Sequence, residues 1–99
     1  MLEPYQRYAD SGEINTVVVN PAATVEAIAE HERAAGASID RLDGLTVEHA
    51  DWWYNVRPSN TEPLLRLNVE AKTPELCAAH VAEVRELIAA NAGRGAGPN

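Results

Sequence analysis

Cysteine and long apolar runs are scarce in this 99-residue chain, and each scarcity excludes a class of protein. Cys77 is the only cysteine, so no intrachain disulfide can form, and its place on the apolar stripe of a predicted helix favours a buried hydrophobe over a reactive thiol. No run approaches the roughly 20 apolar residues of a membrane span, and the N-terminus lacks a signal-peptide pattern. We therefore expect a soluble, cytoplasmic domain.

Positive charge is also in short supply, because 8 basic residues face 15 acidic ones and the net charge is -7. Such a balance argues against nucleic acid or an anionic membrane as the main partner. An anion can still bind where cations are focused locally. A chain of this size forms one domain with a modest core and buries roughly two thirds of its unfolded surface.

Metal-ligating residues are not grouped in the sequence. His31, His49 and His80 are widely separated and lack cysteine or carboxylate partners at ligand spacing, so we interpret them as ordinary helix or strand residues. Asp40 and Asp43 have no third oxygen ligand nearby, which makes a cation site there a weak hypothesis. We expect no metal site in this chain.

The first half of the chain predicts a strand, a helix and a hairpin. Residues 13–20 are rich in β-branched side chains and predict a strand that Pro21 closes. Thr24 is the predicted N-cap of a helix that Gly36 ends. Strands at 37–42 and 45–49 flank Asp-Gly, a pair typical of a two-residue type I′ hairpin.

The second half predicts two strands and a helix. Adjacent tryptophans open the first strand, at 52–56, and point to opposite faces, one toward the core and the other toward a helix, another domain or a ligand cleft. Thr-Pro-Glu at 73–75 predicts a capped helix start, and an apolar stripe continues to residue 91. The stripe is formed by Leu76, Cys77, Val81, Val84, Leu87 and Ile88.

The order strand, helix, four strands, helix predicts an α+β fold with two helices on one face of a mostly antiparallel sheet. We place the folded domain at residues 13–92. Residues 1–12 show no period and are interpreted as a linker, and the glycine-rich residues 93–99 are interpreted as a disordered tail.

Polar side chains are concentrated at residues 57–63, Arg-Pro-Ser-Asn-Thr-Glu-Pro. One guanidinium, two hydroxyls and an amide between prolines suit a phosphate dianion in charge and geometry. In the strand at 64–71, Arg66 falls on the face away from the core, where it could supply a second cation. The alternatives are that the segment is only a polar turn and Arg66 an ordinary solvated arginine.

Residues 57–71, Arg-Pro-Ser-Asn-Thr-Glu-Pro-Leu-Leu-Arg-Leu-Asn-Val-Glu-Ala, resemble the phosphate-binding loop and following strand of a known family. The family is the C-terminal domain of phosphomannomutase/phosphoglucomutase enzymes, in the phosphohexomutase superfamily. The resemblance extends back through 39–40 and 11–15 and forward to the last helix. Asn60 resembles the phosphomannomutase/phosphoglucomutase pattern, whereas phosphoglucosamine mutases usually carry glycine there. The implied fold is TATA-binding-protein-like, and residues 1–12 would be the entry from a preceding domain.

The resemblance implies a domain of an isomerase that interconverts hexose 6-phosphate and hexose 1-phosphate through a phosphoserine and a bisphosphate intermediate, with Mg²⁺ in the full enzyme. The implied partners are a mannose or glucose phosphate and the remaining domains of the enzyme. The implied phosphate-binding residues are Arg57, Ser59, Asn60, Thr61, Glu62 and Arg66. Of these, Glu62 is expected to brace the loop.

Three motifs of the resembled enzymes are missing from the sequence: Thr-x-Ser-His-Asn-Pro, Asp-Gly-Asp-x-Asp and Gly-Glu-x-Ser-Gly. They carry the phosphoserine, the magnesium and the sugar selection, so we expect no catalytic residue here and no catalysis by this chain alone. Ser59 has no neighbouring base at a plausible spacing. The alternatives are a free-standing module that binds phosphate or sugar phosphate, and a non-catalytic interaction domain.

Overall fold

A computed structural model describes residues 9–92 as two helices packed on one face of a six-stranded antiparallel sheet. The elements are β1 (Ala9–Asp10), β2 (Ile14–Val17), α1 (Pro21–Ala34), β3 (Ser38–Asp40), β4 (Leu45–Glu48), β5 (Trp52–Pro58), β6 (Leu64–Ala71) and α2 (Pro74–Asn91). The predicted α+β fold is therefore confirmed. The predicted tail at 93–99 and most of the predicted linker lie outside the described residues.

Strand β6 is the centre of the sheet because it pairs on one side with β5 and on the other with both β1 and β2. The sheet then continues from β5 through β4 to β3. Ser11, between β1 and β2, keeps contact with β6: its N–H donates to Val69 O at 2.9 Å, and its Oγ accepts from Val69 N at 2.9 Å. Residues 9–17 thus run along β6 as one interrupted strand, and the last residues of the segment interpreted as a linker belong to the sheet.

Helix α1 begins four residues earlier than the sequence interpretation placed it. Asn20 is the N-cap, its side chain accepts from Ala23 N at 3.1 Å, and Pro21 is the first helical residue. Asparagine at the cap followed by proline is a favourable helix start. The chain therefore leaves the sheet after Val17 to enter the helix, and β2 is shorter than the strand predicted for residues 13–20. The predicted cap, Thr24, is instead fully buried and donates its hydroxyl to Asn20 O at 2.9 Å.

The connection between β3 and β4 is also different from the prediction. It spans residues 41–44, and Gly44 is its only residue with a left-handed backbone, at a φ of 69°. A type I′ turn needs positive φ at both central residues, so the two-residue hairpin was wrong. Asp40 supports the longer loop instead, because its Oδ1 accepts from Leu42 N at 2.7 Å.

Helix α2 begins as predicted, with Thr73 as the N-cap and its Oγ1 accepting from Leu76 N at 3.1 Å. The buried stripe on this helix consists of Cys77, Val84 and Ile88. Leu76 was wrongly assigned to that stripe and is 40% exposed. It is adjacent in sequence to the buried Cys77, and adjacent residues point in different directions around a helix. No helix within residues 9–92 is long and apolar enough to cross a membrane.

The core lies between the sheet and the two helices. Strand β6 alternates as predicted, with Leu65, Leu67, Val69 and Ala71 fully buried and the intervening residues partly exposed. At the start of β5, the ring of Trp52 is sandwiched between two histidines: ring centroids lie 4.4 Å from His49 and 3.8 Å from His80. Aromatic stacking here joins α2 to the sheet.

A hydrogen bond between buried polar groups joins α1 to the sheet. Tyr54 is fully buried, and its hydroxyl donates to Glu32 Oε2 at 2.5 Å. The other carboxylate oxygen of Glu32 lies 3.6 Å from His49 Nε2. Burial raises the pKa of Tyr54 well above its usual range, and the bond to Glu32 and the charge of Glu32 raise it further.

Removal of the Tyr54 hydroxyl tests this bond. Tyr54→Phe should lower the free energy of unfolding by about 1–3 kcal/mol, because the Glu32 carboxylate would stay buried without its donor. Urea denaturation measures the loss. The double variant Glu32→Met/Tyr54→Phe should regain part of it, since the buried carboxylate that lost its donor is then removed as well. An unchanged midpoint in Tyr54→Phe would contradict the assigned role.

The raised pKa of Tyr54 also predicts a loss of stability at alkaline pH. Well below pH 10.0, the ordinary pKa of a tyrosine hydroxyl, Tyr54 is neutral in both the folded and the unfolded state. At higher pH the unfolded chain releases this proton and the folded chain does not, so stability falls by up to about 1.4 kcal/mol per pH unit. Denaturation curves across this range should show a smaller fall for Tyr54→Phe than for the wild type. Equal slopes would show that Tyr54 does not contribute.

Candidate functional site

The loop between β5 and β6 is held by Ser59. Ser59 N donates to Leu64 O at 3.0 Å, and Ser59 Oγ accepts from the N–H groups of Thr61 at 3.2 Å and Glu62 at 3.3 Å. A serine hydroxyl oxygen has two lone pairs and one proton. Because the loop amides use the lone pairs, the proton is left to be donated, and Thr61 Oγ1 lies 3.5 Å away.

Two arginines flank this loop at the same end of the sheet. Arg57 of β5 is directly opposite Arg66 of β6 in the antiparallel register, and both side chains lie on the face away from the helices. Like charges directly opposite each other destabilise a sheet. Each arginine has a carboxylate nearby: Arg66 Nη1 is 2.7 Å from Glu13 Oε2, and Arg57 Nη1 is 3.9 Å from Asp43 Oδ1.

These groups surround an open cleft of about 630 Å³, within the 300–1,000 Å³ range of small-molecule sites. The structure brings five of the six predicted site residues together in its wall: Arg57, Ser59, Asn60, Thr61 and Arg66. The sixth, Glu62, is not in the wall, but its backbone N–H bonds to Ser59 Oγ. Whether these residues bind phosphate remains a prediction.

Apart from Pro58 of the loop itself, the cleft contains three residues that were not assigned to it from the sequence: Glu13, Asp43 and Gly44. They come from the position just before β2 and from the loop before β4, both distant in sequence from residues 57–63. Gly44 was noted in the sequence, but it was interpreted only as part of a hairpin turn. Nothing local in the sequence indicates which strand the turn packs against.

Gly44 makes room for Arg57. A Cβ at Gly44 would lie 2.4 Å from Arg57 Cγ and 2.8 Å from Val56 O, closer than real contacts allow. Asn55 holds the loop in this place, because its Nδ2 donates to Asp43 O at 2.7 Å. The stem of Arg57 therefore lies across a glycine, and its guanidinium is directed along the cleft wall. Among residues 9–92, Arg57 Nε is one of the buried polar atoms without a hydrogen-bond partner.

The single cysteine has a packing role. Cys77 is buried, and its Sγ lies 3.6 Å from Val69 O. Burial raises the pKa of the thiol, and the charges of Asp10 and Glu70 add to the effect. A thiol whose pKa is raised forms little of the reactive thiolate, so Cys77 is a poor nucleophile.

The fold and the cleft define a class of protein: a small α+β domain that presents two arginines and a hydroxyl-rich loop at one end of its sheet. The family model for the phosphoglucomutase/phosphomannomutase C-terminal domain matches residues 13–87 of the sequence. The chain belongs to this family.

Relatives with similar sequences are called phosphomannomutases. That of Methanocaldococcus jannaschii is 41% identical over 85 residues, which is 86% of this chain and 18% of the relative. That of Salmonella montevideo is 42% identical over 79 residues, 79% of this chain and 17% of the relative. That of Escherichia coli (strain K12) is 42% identical over 62 residues, 63% of this chain and 14% of the relative. The chain thus spans less than a fifth of the length of these relatives.

A methyl group at Gly44 tests whether this glycine positions Arg57. Gly44→Ala should displace the stem of Arg57 and, because φ is 69°, also cost about 1–2 kcal/mol of stability. Gly36→Ala is the matched control, since its φ is 89° but its Cβ would meet nothing within 4 Å. The NMR signal of the Arg57 side-chain N–H should move in Gly44→Ala and stay in place in Gly36→Ala. Equal responses would contradict the positioning role.

Proposed function

We propose that this chain is the substrate-phosphate-binding domain of a phosphohexomutase, in which it holds the non-reacting phosphate of a hexose phosphate. The whole enzyme would interconvert hexose 6-phosphate and hexose 1-phosphate through a phosphoserine and a bisphosphate intermediate. The observation that carries the proposal is the placement of Arg57 opposite Arg66, beside the loop of Ser59.

The arginines supply the charge for this task. A guanidinium presents N–H donors in a planar fork that matches the oxygens of a phosphate group. A dianion between Arg57 and Arg66 would also relieve the repulsion that their cross-strand pairing creates.

The loop supplies neutral donors beside that charge. The hydroxyl groups of Ser59 and Thr61 and the side-chain amide of Asn60 all belong to residues of the cleft wall. None of these groups requires a particular sugar. A site that reads the phosphate and little of the sugar suits a reaction in which the same hexose presents either of its two phosphates in turn.

Chemistry on the phosphoryl group is assigned to other domains. Within residues 9–92, no three His, Cys, Asp or Glu side chains are grouped to hold a metal ion, so these residues do not fit the Mg²⁺ of the proposed enzyme. The oxygen of Ser59 accepts from two loop amides and contacts no base, which does not suit a nucleophile. We therefore propose that this chain binds and orients phosphate without transferring it.

Phosphate binding is tested by NMR titration of the 99-residue chain with mannose 6-phosphate. The amide signals of residues 59–62 should shift, with weak affinity because other domains supply further substrate contacts. Arg57→Ala should weaken the binding by roughly 1.5–3 kcal/mol, or about ten- to 150-fold, because a charge-assisted hydrogen bond is lost. Arg33→Ala, on the exposed side of α1, removes the same charge and should leave the affinity unchanged.

The outcome also separates the alternatives. Weak binding that depends on Arg57 supports the enzyme-domain proposal. Tight binding by the isolated chain would favour a free-standing sugar-phosphate module. If the amide signals of residues 59–62 stay in place even at a high concentration of mannose 6-phosphate, phosphate binding at this loop is excluded and a non-catalytic interaction domain is favoured.

A further inference from the structure

The charges in the cleft wall cancel. Arg57 and Arg66 contribute two positive charges, and Glu13 and Asp43 contribute two negative ones. A cleft built only to attract an anion would carry an excess of cations, since local potential governs ligand attraction. The two carboxylates therefore need an explanation of their own.

Glu13 contacts Arg66 in a pair that water can reach. Their nearest atoms are 2.7 Å apart, and the side chains are 42% and 37% exposed. Ion pairs with this exposure contribute little to stability. The carboxylate also comes from outside the regular strand, because β2 begins one residue later. Glu13 can thus leave Arg66 at low cost.

Asp43 is arranged in the same way around Arg57. Its backbone is fixed by the bond from Asn55 to its carbonyl, while its side chain is 78% exposed and lies 3.9 Å from the guanidinium. This distance is too long for a hydrogen bond. The carboxylate is close enough to offset the charge of Arg57 and is not held there.

We propose that Glu13 and Asp43 are exchangeable counterions of the two arginines, which an incoming phosphate displaces. This inference rests on the proposed function of the cleft. In the empty cleft the carboxylates offset the repulsion between Arg57 and Arg66. On binding, one phosphate group replaces both, because its oxygens meet the two guanidinium groups at the same time. The carboxylates therefore lower the affinity for phosphate while they preserve the empty site.

A positioning role would have the opposite consequence. If Glu13 served to aim Arg66 at the ligand, its removal would leave the guanidinium poorly oriented and would weaken binding. If Glu13 is an exchangeable counterion, its removal frees Arg66 and removes a negative charge next to the phosphate. The sign of the change in affinity therefore distinguishes the two roles.

The experiment is an NMR titration of the 99-residue chain with inorganic phosphate at fixed ionic strength and about pH 8, where the dianion predominates. Glu13→Gln and Asp43→Asn should each bind phosphate about three- to tenfold more tightly than the wild type. The double variant should bind more tightly than either single variant but by less than the product of the two gains, because both carboxylates act on one phosphate. Glu30→Gln is the control, since it removes the same charge from an ion pair on α1, with Arg33.

Each outcome decides the inference. Tighter binding by Glu13→Gln and Asp43→Asn, with Glu30→Gln unchanged, supports exchangeable counterions. Wild-type binding together with unchanged or weaker binding by Glu13→Gln overturns the inference and leaves the proposed function intact. An equal gain in Glu30→Gln shows a general effect of net charge and also overturns it. Absence of any shift at residues 59–62 in the wild type overturns both proposals.

Discussion

The antiparallel pairing of β5 with β6 is the constraint on which the rest of the structure depends. It places Tyr54 and Val56 in the core beside Val69 and Leu67, and it places Arg57 opposite Arg66 on the other face. Core packing and the cleft are thus two results of one register. Burial of the apolar side chains fixes the register. The same register puts two cations next to each other at the end of the strands, where water and carboxylates weaken their electrostatic repulsion.

The two ends of β5 have different tasks. At its start, the hydroxyl of buried Tyr54 is hydrogen-bonded to Glu32 of α1, and the ring of Trp52 stacks on His49 and on His80 of α2. Both helices therefore hold this end of the strand. At its end, the side chains are polar and partly exposed around a cleft. A packed start and a polar, partly exposed end suit ligand binding, because the packing that positions the hydrogen-bond donors lies away from the cleft.

The sequence predicted those parts of the molecule that depend on neighbouring residues. The loop of Arg57 and Ser59 was found because its donors are adjacent in the chain, and Arg66 was found because strands alternate with a period of two. Asn20 was missed as a helix cap because the proline after it can end a strand as well as begin a helix. The assignment of Glu13 and Gly44 to the cleft depends on contacts between distant segments, which no local pattern contains.

The alternation along β6 also protects the fold against misassembly. If β6 paired one residue out of step, Arg66 would turn into the apolar core between the sheet and the helices, and leucines would turn toward solvent. A chain in that alternative alignment would lose its hydrophobic interior and the cleft between Arg57 and Arg66 together. Misaligned pairing at this hairpin is therefore disfavoured, and a molecule that has formed its interior has also placed Arg57 opposite Arg66.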